Sequence, residues 1–185
     1  MQTAHGNVTG LTLIELLITL TVVATLACIT LPSFQNVSQS LGSRSARSAL
    51  SIALSQARSH AVTIRSEVVA CPSSDQDACD NSTFWHQGWL VFADRNQNHR
   101  READETIIAV MQRQTNGVAI MSSSGRRYMR YQPDGTAGGS NMTFTVCDRR
   151  GPTSASALVI NNAGRVRSGT ASAASAAASC AAVGT

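Results

Sequence analysis

Gly164-Arg165-Val166-Arg167, near the C-terminal end, sets two guanidinium side chains two positions apart. In an extended strand such residues share a face, so Arg165 and Arg167 project together while Val166 turns inward. Gly164 permits a tight approach of the backbone just before them. Guanidinium is always charged and forms forked, charge-assisted hydrogen bonds, which suit phosphate oxygens. Contacts of that kind to a DNA backbone carry no sequence information and weaken steeply with salt. The plainer reading is two exposed arginines that solubilise an edge strand and block edge pairing. Arg149 and Arg150, just after Cys147, widen the basic patch if the tail is held nearby. Arg126, Arg127 and Arg130 form a second, weaker basic cluster.

Asp94, Asn96, Asn98 and Glu105 stand at the first, third, fifth and twelfth places of an EF-hand-like calcium loop. The sixth place, which needs glycine, is His99, and Arg100 and Arg101 put positive charge where a cation would sit. Asp and Asn also favour turns, because they hydrogen-bond their own backbone. A structural hairpin turn is expected there, and no metal ligand or cofactor is assigned. His60, His86 and His99 have no serine or cysteine nucleophile beside them in a recognisable motif. An enzyme is not expected. Of Trp85 and Trp89, one is expected in the core and the other at an edge.

A third feature lies at the other end. From Leu11 to Leu31 the chain is apolar, and Glu15 is its only charge. The run is long enough to cross a hydrocarbon core of about 30 Å as a helix. A carboxylate there costs about 3 kcal/mol on insertion scales, so it demands a partner and a role.

The elements that must position these groups follow from periodicity. Pro32 should kink or locally melt the helix that starts in the apolar run. Beyond it, Leu50, Ala53, Leu54, Ala57, Ala61 and Ile64 recur at helical spacing, with Arg44, Arg47 and Arg58 on the solvated face. Short β-like runs follow at Thr63–Ala70, Gly88–Phe92, Thr106–Met111, Gly117–Met121, Arg127–Tyr131, Met142–Cys147, Ala157–Ile160 and Val166–Arg167. Short connections favour antiparallel hairpins. The residues from Ser168 on are nearly all Ala, Ser, Gly and Thr, which suggests a flexible tail tethered at Cys180.

Composition adds limits. The 185 residues allow one membrane helix and one modest domain, whose core must rest on aliphatic side chains because aromatics are 4%. The net charge of +4 is carried entirely by arginine and is compatible with an anionic partner without requiring one. Of five cysteines, Cys28 lies in the apolar run and four lie beyond it. Four cysteines allow three connectivities. Cys71–Cys79 closes a short polar loop cheaply and leaves Cys147–Cys180 to tie back the tail. No Cys/His spacing suits a metal.

Gly10-Leu11-Thr12-Leu13-Ile14-Glu15 ahead of the apolar run resembles the processing signal of type IV prepilins and type II secretion pseudopilins. An ordinary signal peptide would be cut after its apolar run and would not need Glu15. The resemblance implies that a prepilin peptidase cuts between Gly10 and Leu11 and methylates Leu11. It also implies that Glu15 serves assembly by meeting a neighbouring subunit's N-terminus. Leu11 departs from the usual Phe, and the leader has no Lys or Arg. The stretch Trp85 to Asn98, with Gly88-Trp89 leading to Asp94-Arg95-Asn96, is similar to the central hairpin of GspH/FimT-type minor pilins. Gly-Arg-x-Arg resembles the DNA-binding motif of the FimT-type members, which nominates Gly164, Arg165 and Arg167.

The resemblance implies an α+β type IV pilin fold, with a long N-terminal helix packed on a C-terminal antiparallel β-sheet domain. The expected organisation is a leader at 1–10, a transmembrane half-helix at 11–31 and an amphipathic half at 32–62. A β-rich domain at 63–167 and a tail at 168–185 follow. The implied partners are other major and minor pilins, the prepilin peptidase, the inner membrane before assembly, and double-stranded DNA taken up in natural transformation. The implied location is the inner membrane, then a pilus at the cell surface. A structural reading stands beside it: a tip-priming minor pilin or secretion pseudopilin that binds no nucleic acid.

Overall fold

The computed structural model describes residues 12–114 and 117–184, apart from the side chains of residues 29–33. The expected leader and the Gly10–Leu11 cleavage position lie outside the described residues. The chain divides into two compact units, Met1–Ser38 and Gln39–Thr185.

Helix α1 (Leu13–Ile64) begins in the first unit. The Thr12 hydroxyl accepts a hydrogen bond from the Glu15 N–H at 3.3 Å, as an N-cap does. The hydroxyls of Thr19, Thr21 and Thr25 donate back to the carbonyls of Leu16, Ile18 and Val22. Polar atoms are thereby satisfied within the helix, while Leu13, Ile14, Leu17 and Val23 stay exposed. The helix continues through Pro32, so the local melting expected there does not occur. One missing donor is tolerated when intact turns flank it on both sides. Among the described residues no helix is long and apolar enough to cross a membrane. Part of the stretch expected to cross, 11–31, lies outside the described residues.

The second unit holds the rest of α1, two antiparallel four-stranded sheets and a short C-terminal helix. Strands β1 (Glu67–Pro72), β2 (Trp89–Asp94), β3 (Ile107–Met111) and β5 (Met129–Tyr131) form the first sheet, in the order β3-β2-β1-β5. Strands β4 (Val118–Ser122), β6 (Met142–Asp148), β7 (Ser156–Ile160) and β8 (Val166–Thr170) form the second, in the order β4-β6-β7-β8. Leu50, Leu54, Ala57 and Ala61 are fully buried and join a single core with Val68, Tyr131, Ile120, Phe144 and Ile160 from both sheets. Small residues at 53, 57 and 61 let the helix lie close, and Leu50 and Leu54 fill the space between strands.

Several expectations change. Ile64 is 44% exposed, because the helix ends there and Arg65 turns the chain with φ +52° into β1. Both tryptophans are core: Trp85 and Trp89 are at most 1% exposed, and Trp85 meets Phe144 edge-to-face at 4.8 Å. Arg58 is not a solvated residue, since its Nε donates to the Gly135 carbonyl at 2.8 Å.

The tail is ordered. β8 runs on to Thr170, and helix α2 (Ala173–Ala181) follows, N-capped by Ser172, whose hydroxyl accepts from the Ser175 N–H. Its small side chains let it sit on the outer face of the second sheet, with Ala176 and Ser179 buried. The Ser179 hydroxyl donates to the Thr145 carbonyl at 3.1 Å, and a disulfide joins Cys180 to Cys147, Cα–Cα 5.1 Å. A second disulfide joins Cys71 to Cys79, Cα–Cα 5.6 Å, over a small cluster of Val69, Leu90 and Phe92.

At the far end of β6, buried Asp148 accepts from the Ser43 hydroxyl on α1 and from Arg150 Nε and NH2 at 3.0 and 2.8 Å. Burial alone would raise its carboxyl, but the bonds from Arg150 and Ser43 outweigh that and hold it below the ordinary carboxylate value. A depressed folded pKa gives stability that is present above the unfolded value and lost as pH falls through the folded one. Urea unfolding between pH 7 and about pH 2 should therefore show an acid-limb loss that Asp148→Asn flattens. An unchanged acid limb in the variant would remove Asp148 from that role. Leu54→Ala should lower unfolding stability by about 2–5 kcal/mol, measured the same way, because it opens a cavity at the helix–sheet contact.

Candidate nucleic-acid interface

The β7–β8 hairpin turns over Asn161–Arg165. The Asn161 carbonyl accepts from the Gly164 N–H at 2.9 Å, and its side-chain oxygen accepts from the Arg165 N–H at 3.0 Å. Gly164 is buried with φ +73°, a conformation that side chains rarely adopt. An added Cβ would collide with the Gly135 carbonyl oxygen and lie 3.2 Å from both Arg58 Nε and Tyr131 Cε1. Glycine is required here because the loop after β5, the turn before β8 and helix α1 converge on one point. The Ala137 N–H also donates to the Asn162 carbonyl at 2.9 Å, so the turn is held from two sides.

From that anchor the chain enters β8. Val166 pairs with Ile160 and packs against the core, while Arg167 pairs with Val159 on the opposite face. Arg165 shares the parity of Arg167, and both are exposed. Among the described residues, neither guanidinium has an ion pair or hydrogen-bond partner. The geometry therefore presents two free, always-charged, planar donors from a pinned hairpin.

The other arginines separate. β6 runs from Met142, in register with Ile160 and hence Val166, to Asp148 at the other end. Arg149 and Arg150 follow that far end, about 20 Å along the strand from Arg167's row. Arg150 is tied to Asp148, and Arg149 packs over Gly117. They do not widen the patch; the Cys147–Cys180 bond brings α2 over the sheet, not toward Arg165. Arg127 donates to the Asn81 side chain at 2.9 Å, and Arg130 faces Glu67 at 3.8 Å and donates to the Gly138 carbonyl. Arg126 is exposed and touches only the Gly139 carbonyl with one nitrogen, at 3.2 Å.

The 94–105 loop closes on itself. Asp94 accepts from the N–H groups of Asn98 and His99, and Glu105 from those of Arg95 and Glu102. Asn96 and Asn98 donate their amides to Glu102 at 2.8 and 2.9 Å. Ligand atoms of Glu67, Asp94 and His99 do come within 4.8 Å of one another, a grouping with β1 that sequence spacing does not reveal. Arg130 occupies the same place: its guanidinium lies 3.3 Å from His99 Nε2. A positive side chain at that point and two backbone donors on Asp94 answer the charge without a metal. His86 is buried with Nδ1 3.2 Å from the Ile120 carbonyl, and burial pushes its imidazole below the ordinary value, so it is neutral at pH 7. His60 is exposed on α1.

Glu15 is exposed in the first turn of α1, where the helix dipole favours a carboxylate. Leu11, its implied partner residue, lies outside the described residues. Sequence reading missed Arg58 and Glu67, because each acts through a contact with a residue far away in the chain.

Residues 46–164 match the family described as Type II transport protein GspH. Two crystal forms of FimU, a type IV minor pilin of Pseudomonas aeruginosa PAO1, are similar in fold, each at 20% identity over 74% of this chain. The alignments cover 93% and 98% of those chains with TM-scores of 0.56 and 0.54. No curated protein matches the chain. The α+β architecture of one long N-terminal helix on antiparallel sheets is the type IV pilin fold, and the match over most of its β-rich unit places this chain in the GspH family.

Proposed function

We propose that this chain is a minor pilin that is processed at Gly10–Leu11, held in the inner membrane and built into a type IV pilus. There it holds extracellular double-stranded DNA for uptake through Arg165 and Arg167. The observation that carries the DNA reading is the pair of exposed, unpartnered guanidiniums of Arg165 and Arg167 at the start of β8, in a hairpin that Gly164 pins to the core. The held backbone fixes where the two side chains start, a planar fork loses less freedom per hydrogen bond formed, and such contacts read charge, not sequence. Glu15, exposed among apolar neighbours in the first turn of α1, suits pairing with the freed amine of an adjoining pilin. The exposed apolar side chains of Leu13, Ile14 and Leu17 suit lipid first and neighbouring pilin helices afterwards.

A structural reading has its own support. FimU is a type IV minor pilin of the same fold, and filament packing alone would use α1's apolar surface. On that reading the arginine pair solubilises the free edge of β8.

Two measurements separate these. With the full chain in detergent micelles and a labelled duplex, Arg165→Ala/Arg167→Ala should weaken binding and flatten the log–log salt slope by about 1.8, two phosphates' worth. Equal binding by both proteins would leave the structural reading. Mass spectrometry of the mature protein should find N-methylated Leu11 as its first residue; any other first residue removes the pilin processing and the assembly role of Glu15.

A further inference from the structure

We propose that the DNA-contacting surface is a track across the outer face of the second sheet. It runs from Arg165 in the turn before β8 and Arg167 on β8, over Thr143 on β6, to Arg126 just beyond β4, and seats the sugar–phosphate backbone of duplex DNA. The inference rests on the DNA reading above and adds residues that reading does not use. Register places them. Arg167 pairs with Val159 and Val159 with Thr143, so the three form one cross-strand row. The Ser123 N–H donates to the Thr143 carbonyl at 2.8 Å, extending the row to the end of β4. Three residues on, the Arg126 N–H donates back to the Ser123 carbonyl, and the Ser122 hydroxyl bonds the Arg126 carbonyl. Arg126 therefore flanks the row on one side and Arg167 on the other. Three strand spacings of about 4.8 Å put these ends roughly 14 Å apart, a reach that long side chains extend over several phosphates.

Between the two ends lies a cleft of about 730 Å³, roofed by the N-terminal half of α2. Thr83, Ser124, Thr143, Thr170 and Ser172 are among its walls, and no acidic side chain lines it. Among the described residues, the hydroxyls of Thr83, Ser124, Thr143 and Thr170 bond no protein group. Neutral donors with no fixed partner, in a row flanked by arginines with no carboxylate partner and lacking any carboxylate themselves, suit a run of phosphate and sugar oxygens. The lining also has no aromatic ring on which an unpaired base would stack, which favours a duplex backbone over a single strand. Arg126 donates one guanidinium nitrogen to the Gly139 carbonyl, and among the described residues its other guanidinium nitrogens have no partner.

The test uses the full chain in detergent micelles, a fluorescein-labelled duplex and a salt titration. Arg126→Ala should weaken binding about tenfold and flatten the salt slope by about 1, as loss of one phosphate contact does. Thr143→Val should weaken binding severalfold with the slope unchanged, because a hydroxyl releases no counterion. Arg126→Lys should restore the slope, and Arg127→Ala, on the guanidinium held by Asn81, should match wild type. If Arg126→Ala and Thr143→Val both bind as wild type while the Arg165/Arg167 double variant does not, the contacts stop at β8 and the track is overturned. If wild type binds no duplex, the DNA reading falls and takes the track with it.

Discussion

One stripe of α1, Leu50, Leu54, Ala57 and Ala61, is buried against the inner faces of both sheets, and the second unit is built around that contact. Without it, each sheet would expose an apolar face: Val68, Ala70 and Val91 on one, Phe144, Leu158 and Ile160 on the other. Two four-stranded sheets of three- to seven-residue strands have little stability alone, and the shared helix makes them one core. The small residues in the stripe matter as much as the large ones. They bring backbone close enough for Arg58 to reach the Gly135 carbonyl and for Ser43 to reach Asp148, so polar ties fix both ends of the helix–sheet contact.

The first of those ties is also what makes the arginine hairpin rigid. Gly164 fits beside the Gly135 carbonyl, Arg58 and Tyr131 only because it has no side chain. A hairpin end is ordinarily free to move, yet this one is wedged where the two sheets and the helix meet. The glycine of Gly-Arg-x-Arg and its arginines thus have different work. Gly164 sets position through the core, and Arg165 and Arg167 lie at the surface. Their spacing in sequence reflects two turn residues, Gly164 and Arg165, followed by the second position of β8.

Much of this was legible in the chain. All eight strands lie where apolar alternation and turn residues predicted, with ends displaced by a few residues, because periodicity reports the middle of an element better than its boundary. The placement of Arg167 opposite Val166 across β8 agrees with strand parity, and Arg165, in the turn before the strand, is exposed as well. The tail did not read correctly: Ala, Ser and Gly have no apolar stripe, and α2 forms because its small side chains settle on the outer sheet face and Cys180 bonds Cys147. Arg58 read as solvated because its partner, the Gly135 carbonyl, carries no sequence signal. Arg149 and Arg150 looked adjacent to the basic patch because Cys147 and Cys180 are joined. The direction of β6, which sequence does not give, puts them at the other end.

Net charge explains little about this surface; the distribution of carboxylates explains more. Asp94 and Glu105 are taken up by loop amides, Glu67 faces His99 and Arg130, and Asp148 is held by Arg150 and Ser43. These four acids are all buried, so that part of the negative charge is answered inside the fold or at its own loops. Arginines that close such pairs are removed from the surface field, which is why Arg130 and Arg150 add little outside. What remains on the outer face of the second sheet is positive charge with no opposing carboxylate in the adjoining cleft. At physiological ionic strength, charges separated by more than about 8 Å are largely screened, so a net charge of +4 spread over the whole chain would attract DNA weakly. Arg165 and Arg167 are two residues apart, so their backbone positions lie about 7 Å apart, within that length, and their charges act together near the turn. Local placement, fixed by Gly164 and by the parity of β8, therefore decides the electrostatics of this face more than composition does.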